Sequence, residues 1–96
     1  MSVKHIIKKK RNQVLEIANS HGVRSIKLFG SVARGEDNSA SDIDFLVAFD
    51  ESRTLFDLIR LKADLEVLFE KPVHVISEDG INHFIRDRIS SEAISI

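Results

Sequence analysis

Residues 41–49 read Ser-Asp-Ile-Asp-Phe-Leu-Val-Ala-Phe, "SDIDFLVAF". The apolar run Ile43–Phe49 has the length and composition of a buried strand. Side chains alternate across a strand, so Ile43, Phe45, Val47 and Phe49 share one face. Asp42, Asp44, Leu46 and Ala48 share the other. The two aspartates sit at the front edge, about 7 Å apart along the chain. Left alone they repel, and each loses hydration against the sheet. A divalent cation between them removes both problems, since magnesium is commonly held by one or two carboxylates plus phosphate and water. The plainer reading is a pair of solvent-facing aspartates at the margin of a strand.

The residues before this strand bear on the choice. "RSIKLF" (24–29) has Ile26 and Leu28 at strand spacing, and Gly30 and Ser31 follow at once. The stretch 30–41, "GSVARGEDNSAS", is small and polar, with room for one helical turn and a loop. Free amide N–H groups at such a helix start attract anions, glycine lets a phosphate approach the backbone, and Ser31 adds a hydroxyl. Gly35 suits a left-handed helix stop. A tight turn with a helix cap would have the same composition.

Further out, Val3, Ile7, Val14 and Ala18 recur at helical spacing, predicting a helix over about 3–20 that stops at Gly22. A second long helix is expected over Thr54–Glu70. Leu55, Leu58, Ile59, Leu65 and Leu68 are its expected apolar face, and Thr54 with Asp57 its capping box. Pro72 opens a third strand, "PVHVIS", which "EDG" ends. Ile81 to about Ile89 reads as a last helix. The order α-β-(α)-β-α-β-α predicts an α/β (α+β) fold, a small mixed β-sheet of three strands packed with helices, in one domain spanning 1–96.

Composition narrows the function classes. Hydrophobic residues are 43% and charged residues 30%, a globular balance. Cysteine is absent, which excludes disulfides and thiolate metal sites. No run approaches membrane-spanning length, so a cytoplasmic protein without membrane contact is expected. The net charge of −1 gives no general pull toward nucleic acid. The run Lys8–Lys9–Lys10–Arg11 is locally basic and reads either as a nucleic-acid patch or as the solvated face of a helix. His5, His21 and His83 lack metal-ligand spacing, and no aromatic RNA-binding signature is present. Direct nucleic-acid binding is therefore not expected.

The stretch "LFGSVARGEDNSASDIDFLVAF" (28–49) resembles the signature of the DNA polymerase β-like nucleotidyltransferase superfamily. That signature is Gly-Ser, ten residues, then Asp-x-Asp, here Gly30-Ser31 and Asp42-Ile43-Asp44. Ala33-Arg34-Gly35 and Ser41 also fit. The short length resembles the minimal nucleotidyltransferases, which pair with HEPN-domain proteins. The resemblance implies that Gly30 and Ser31, with Ser41 and Arg34 nearby, hold ATP or another nucleoside triphosphate. It implies that Asp42 and Asp44 ligate Mg2+, with Mn2+ as a possible substitute. The implied chemistry is transfer of a nucleoside monophosphate, usually AMP, to a hydroxyl of a partner protein. Arg34 could equally form a surface ion pair.

One position departs from the pattern. The family carries a third carboxylate on a later strand, where this chain has His74 in "KPVHVIS". Three readings follow. His74 replaces the carboxylate as ligand or proton acceptor. A neighbour such as Glu78 or Asp79 substitutes. Or transfer is lost, and the domain binds nucleotide or neutralises a partner by docking alone. The chain has no tyrosine, so a tyrosine acceptor would have to be another protein's. A homodimer is possible, but no residue specifies it.

Overall fold

The computed structural model describes residues 2–38, 41–50, 54–78 and 83–96. Helices α1 (Val3–Lys9) and α2 (Arg11–Ser20) lead into β1 (Val23–Phe29), then α3 (Gly30–Arg34), β2 (Ile43–Phe49), α4 (Leu55–Phe69), β3 (Val73–Ser77), α5 (His83–Glu92) and β4 (Ile94–Ser95). The sheet order is β3-β2-β1-β4. β1 runs antiparallel to both β2 and β4, and β2 runs parallel to β3. The sheet is mixed, as expected.

The first helix is broken where continuity was predicted. Lys10 is the joint between α1 and α2. Its ammonium donates to the Leu68 carbonyl at 3.0 Å and lies 6.0 Å from the centre of the Phe69 ring. A cation there meets the negative end of α4. The apolar spacing survives the break: Ile7, Val14 and Ala18 are all buried. Arg11 donates from Nε to the Ile96 carbonyl at 2.7 Å. Half of the basic run is thus engaged within the fold.

Cross-strand register places Ile26 beside Val47, Leu28 beside Phe45 and Phe45 beside Val75. These residues form the core face, which packs with Ile7, Val14, Leu61 and Leu65. Among the described residues no polar side chain is buried. β2 is central and covered on both faces, whereas β3 is an edge strand with a single buried residue, Val73.

Three further expectations need correction. A fourth strand, β4, extends the sheet; two residues are too few to show a period. The last helix is described from His83 to Glu92, beyond Ile89, while Ile81 and the stretch 79–80 lie outside the described residues. The face of α4 is also different. Its core stripe is Leu61 and Leu65, with Leu58, Leu68 and Phe69 packed beside them. Leu55 and Ile59 are exposed, as are Phe56 and Val67. The helix is apolar on two sides, so periodicity alone could not choose between them. The expected cap is present: the Thr54 N–H donates to Asp57 Oδ2 at 2.9 Å.

Candidate nucleotide and metal site

β2 is joined to β3 by the α4 crossover, and parallel pairing brings both strand starts to the same end of the sheet. β1 enters from the opposite direction, so its last residue, Phe29, lies beside Asp44. The Ile43 N–H donates to the Pro72 carbonyl at 3.1 Å, and the Val73 N–H donates to Glu66 Oε2 at 3.2 Å. These bonds hold the starts of β2 and β3 against each other and against α4.

Gly30 opens α3 with φ +76°, in the left-handed region. A Cβ added there would overlap Asp44 Oδ2. Only glycine therefore fits between the β1 turn and this carboxylate. Gly35 closes α3 in the left-handed conformation that the sequence suggested, and the Glu36 N–H donates to the Ser31 carbonyl at 2.9 Å. Ser41 closes the loop before β2: its N–H donates to the Asn38 carbonyl at 3.0 Å, and its Oγ accepts from the Asn38 N–H at 2.9 Å.

Burial holds the Asp44 carboxyl above the usual carboxylate range. His74 and Arg34 oppose that shift and Asp42 adds to it. The ionised form is thus poorly solvated and faces a like charge. His74 stands directly beside Asp44 in the parallel register. Its Nε2 is 2.7 Å from Asp42 Oδ2, with the imidazole 59% exposed and the carboxylate 39% exposed.

Arg34 donates from Nε to Glu36 Oε2 at 2.9 Å and from a terminal nitrogen to Glu92 Oε2 at 3.3 Å. Arg34 thus makes surface ion pairs, which push its pKa up, while its charge also acts on Asp44. Glu78 follows Ser77, which pairs with Val47 at the far end of β2. That is about 13 Å along the strand from His74. Glu78 cannot stand in for a carboxylate at the strand starts, and Asp79 lies outside the described residues. Sequence reasoning missed the Asp42–His74 hydrogen bond; the alternation of "PVHVIS" gave the face of His74 but not its level.

Among the described residues no three His, Asp or Glu side chains converge tightly enough to hold a metal alone. Asp42 and Asp44 nevertheless supply two carboxylates at one edge, and the destabilised charge of Asp44 favours a nearby cation. The residues fit an ion that brings phosphate and water as its remaining ligands.

A family model described as "Nucleotidyltransferase domain" matches residues 7–96. The chain belongs to that family. As a nucleotidyltransferase domain it is 41% identical over 86 residues to "Putative protein adenylyltransferase MJ0435" of Methanocaldococcus jannaschii, covering 90% of this chain and 92% of that protein. It is 33% identical over 81 residues to "Protein adenylyltransferase MntA" of Thermococcus cleftensis, covering 84% and 82%. Its fold is similar to a solved structure described as "putative minimal nucleotidyltransferase", with a TM-score of 0.90 and 42% identity over 100% of this chain and 97% of that one. A toxin–antitoxin structure with AMP-PNP shares the fold at a TM-score of 0.77 and 17% identity, covering 88% and 69%. No helix among the described residues of this nucleotidyltransferase domain is long and apolar enough to cross a membrane.

Proposed function

We propose that this domain transfers AMP from ATP to a hydroxyl of a partner protein, as the antitoxin of a HEPN-type toxin pair. The observation that carries the reading is Gly30 packed against Asp44 at the shared start of β1's turn, β2 and β3. That arrangement joins a backbone turn open to phosphate with two carboxylates at one edge. Relatives named as protein adenylyltransferases support the choice of AMP and of a protein acceptor. The apolar outer stripe of α4, with Leu55, Phe56, Ile59 and Val67 exposed, supports docking to another chain.

In this reading Gly30 and Ser31 seat the triphosphate, and Asp42 and Asp44 hold magnesium, or manganese in its place. The metal supplies charge neutralisation for the triphosphate and the departing pyrophosphate. The acceptor oxygen bonds to the α-phosphorus as the bond to the bridging oxygen breaks. Pyrophosphate leaves with that electron pair. His74, exposed beside Asp42, takes the acceptor's proton.

The specific observation favouring a second reading is the Asp42–His74 hydrogen bond, which occupies one carboxylate oxygen where the family has a third acid. A domain that only docks would tolerate it. Incubation with labelled ATP, magnesium or manganese, and the partner is expected to label the partner. Asp42→Asn with Asp44→Asn should abolish both labelling and neutralisation while leaving the complex intact. Wild type silent with either metal, beside an active His74→Asp variant, would overturn transfer. Neutralisation by the double variant would establish docking.

A further inference from the structure

One helix carries most of the exposed apolar surface. Among the described residues five large hydrophobic side chains are exposed, and four of them, Leu55, Phe56, Ile59 and Val67, lie on α4. Leu55, Ile59, Ala63 and Val67 are spaced four apart, so they form one ridge about 18 Å long, opposite buried Leu61 and Leu65. Ala63 is itself exposed, a small residue between Ile59 and Val67. A contiguous apolar ridge on the outside of a fold marks an interaction surface. Doubled across a two-fold axis, it reaches the lower end of specific interfaces, ~1,000 Å² of buried surface.

The order of charge along α4 points to what covers the ridge. Arg60 and Lys62 are exposed and form no ion pair among the described residues. Asp64 and Glu66 follow within a turn. Asp64 meets His21 Nε2 at 2.6 Å through one oxygen, and Glu66 accepts from the Val73 N–H through one oxygen, so each carboxylate has a second oxygen to offer. The helix is thus basic just before Ala63 and acidic just after it. Two copies of α4 laid antiparallel, with Ala63 at the two-fold axis, set Ile59 level with the second copy's Val67. The same register brings Arg60 and Lys62 within a turn of the second copy's Asp64 and Glu66. Symmetry makes each contact twice, and the smallest side chain sits where the helices are nearest. A parallel pair would instead set each charge against its own like.

We infer that a second copy of this chain covers α4, in an antiparallel helix pair centred on Ala63. The pairing leaves the nucleotide site open. Leu61 and Leu65 pack on the sheet face that carries Phe45, whereas Asp44 alternates onto the other face. The two sites of the dimer therefore lie away from the shared helices, each free to meet an acceptor. The inference does not rest on the chemistry proposed for that site.

The test is sedimentation equilibrium of the full chain at low salt, from about 1 μM to about 1 mM. Wild type should pass reversibly from monomer to dimer within this range. Ile59→Glu should weaken the dimer at least about tenfold, because it sets a carboxylate against the second copy's Val67. Arg60→Glu with Lys62→Glu should do the same, since the reversed charges then face Asp64 and Glu66. Ile59, Arg60 and Lys62 are exposed in the monomer, so both variants should melt near wild type. The chain has no cysteine, so Ala63→Cys supplies a single thiol at the axis. It should oxidise to a disulfide dimer, whereas Ile85→Cys, also exposed but on α5, should not. Should either charged variant melt well below wild type, this pair of thiols decides. A monomer at the highest concentration overturns the inference, as does a dimer that a folded Ile59→Glu or charge-reversed chain still forms equally well. Equal cross-linking of the two thiols overturns it too. So does slowed amide exchange in α4 that appears only when an unlike protein is added.

Discussion

The starts of β2 and β3 lie side by side at one end of the sheet, yet they are built differently. At β2, Asp44 is enclosed by the Gly30 turn and backed by a strand covered on both faces. At β3, His74 stands on an edge strand and is mostly exposed. The enclosed position is bound into the fold, so a change there alters stability and chemistry together. The open position can exchange one functional group for another at small structural cost. The departure from the family pattern falls at the open position.

The largest test of this contrast is chemical. Asp44→Asn should lower transfer to the partner by about 10²–10³-fold, read as labelled AMP incorporated per minute. Gly30→Ala should come next, losing about 2–4 kcal/mol in urea unfolding, because a left-handed φ and an overlap with Asp44 act at one residue. His74→Asp should be milder. It replaces an exposed hydrogen bond by a third like charge, lowering metal-free stability by about 1 kcal/mol or less. Magnesium should then raise the Tm of this variant more than that of wild type, in parallel melts.

The smallest effect separates the two positions by pH. Burial raises the folded-state pKa of Asp44. Ionisation therefore weakens the metal-free fold as pH rises from the ordinary carboxylate range through that raised value. Asp44→Asn removes this penalty, so at neutral pH its Tm should exceed that of wild type by a few degrees. The gap should close as pH falls and the wild-type carboxyl takes up its proton. A gap that widens in acid would break the contrast.

Much of this contrast was legible in the sequence. Ile43–Phe49 is a strand with the bounds its apolar run predicts, and Thr54 caps α4 as its spacing with Asp57 suggests. Gly30, Asp42 and Asp44 were recognisable from their spacing, because short loops hold them close in the chain. Long-range pairing was not. Nothing local to "PVHVIS" fixes its level beside β2, so the Asp42–His74 bond was unreadable. The outward stripe of α4 was hidden for a different reason. A helix apolar on two sides satisfies the same spacing rule whichever side faces the sheet. Leu61 is fully buried, whereas Leu55 and Ile59, on the expected apolar face, are exposed. Lys10 breaks its helix through a contact 58 residues away, beyond any local pattern.

The parallel pairing of β2 with β3 makes the site sensitive to parity. Inserting or deleting one residue between Glu70 and Val73, with the strands still paired, would turn His74 toward the core and present a valine beside Asp44. A change of two residues would restore the face but displace the imidazole by about 7 Å. Chain length through this short connection is therefore constrained as tightly as residue identity. Among related sequences, insertions should be excluded here and admitted elsewhere along the surface of the fold.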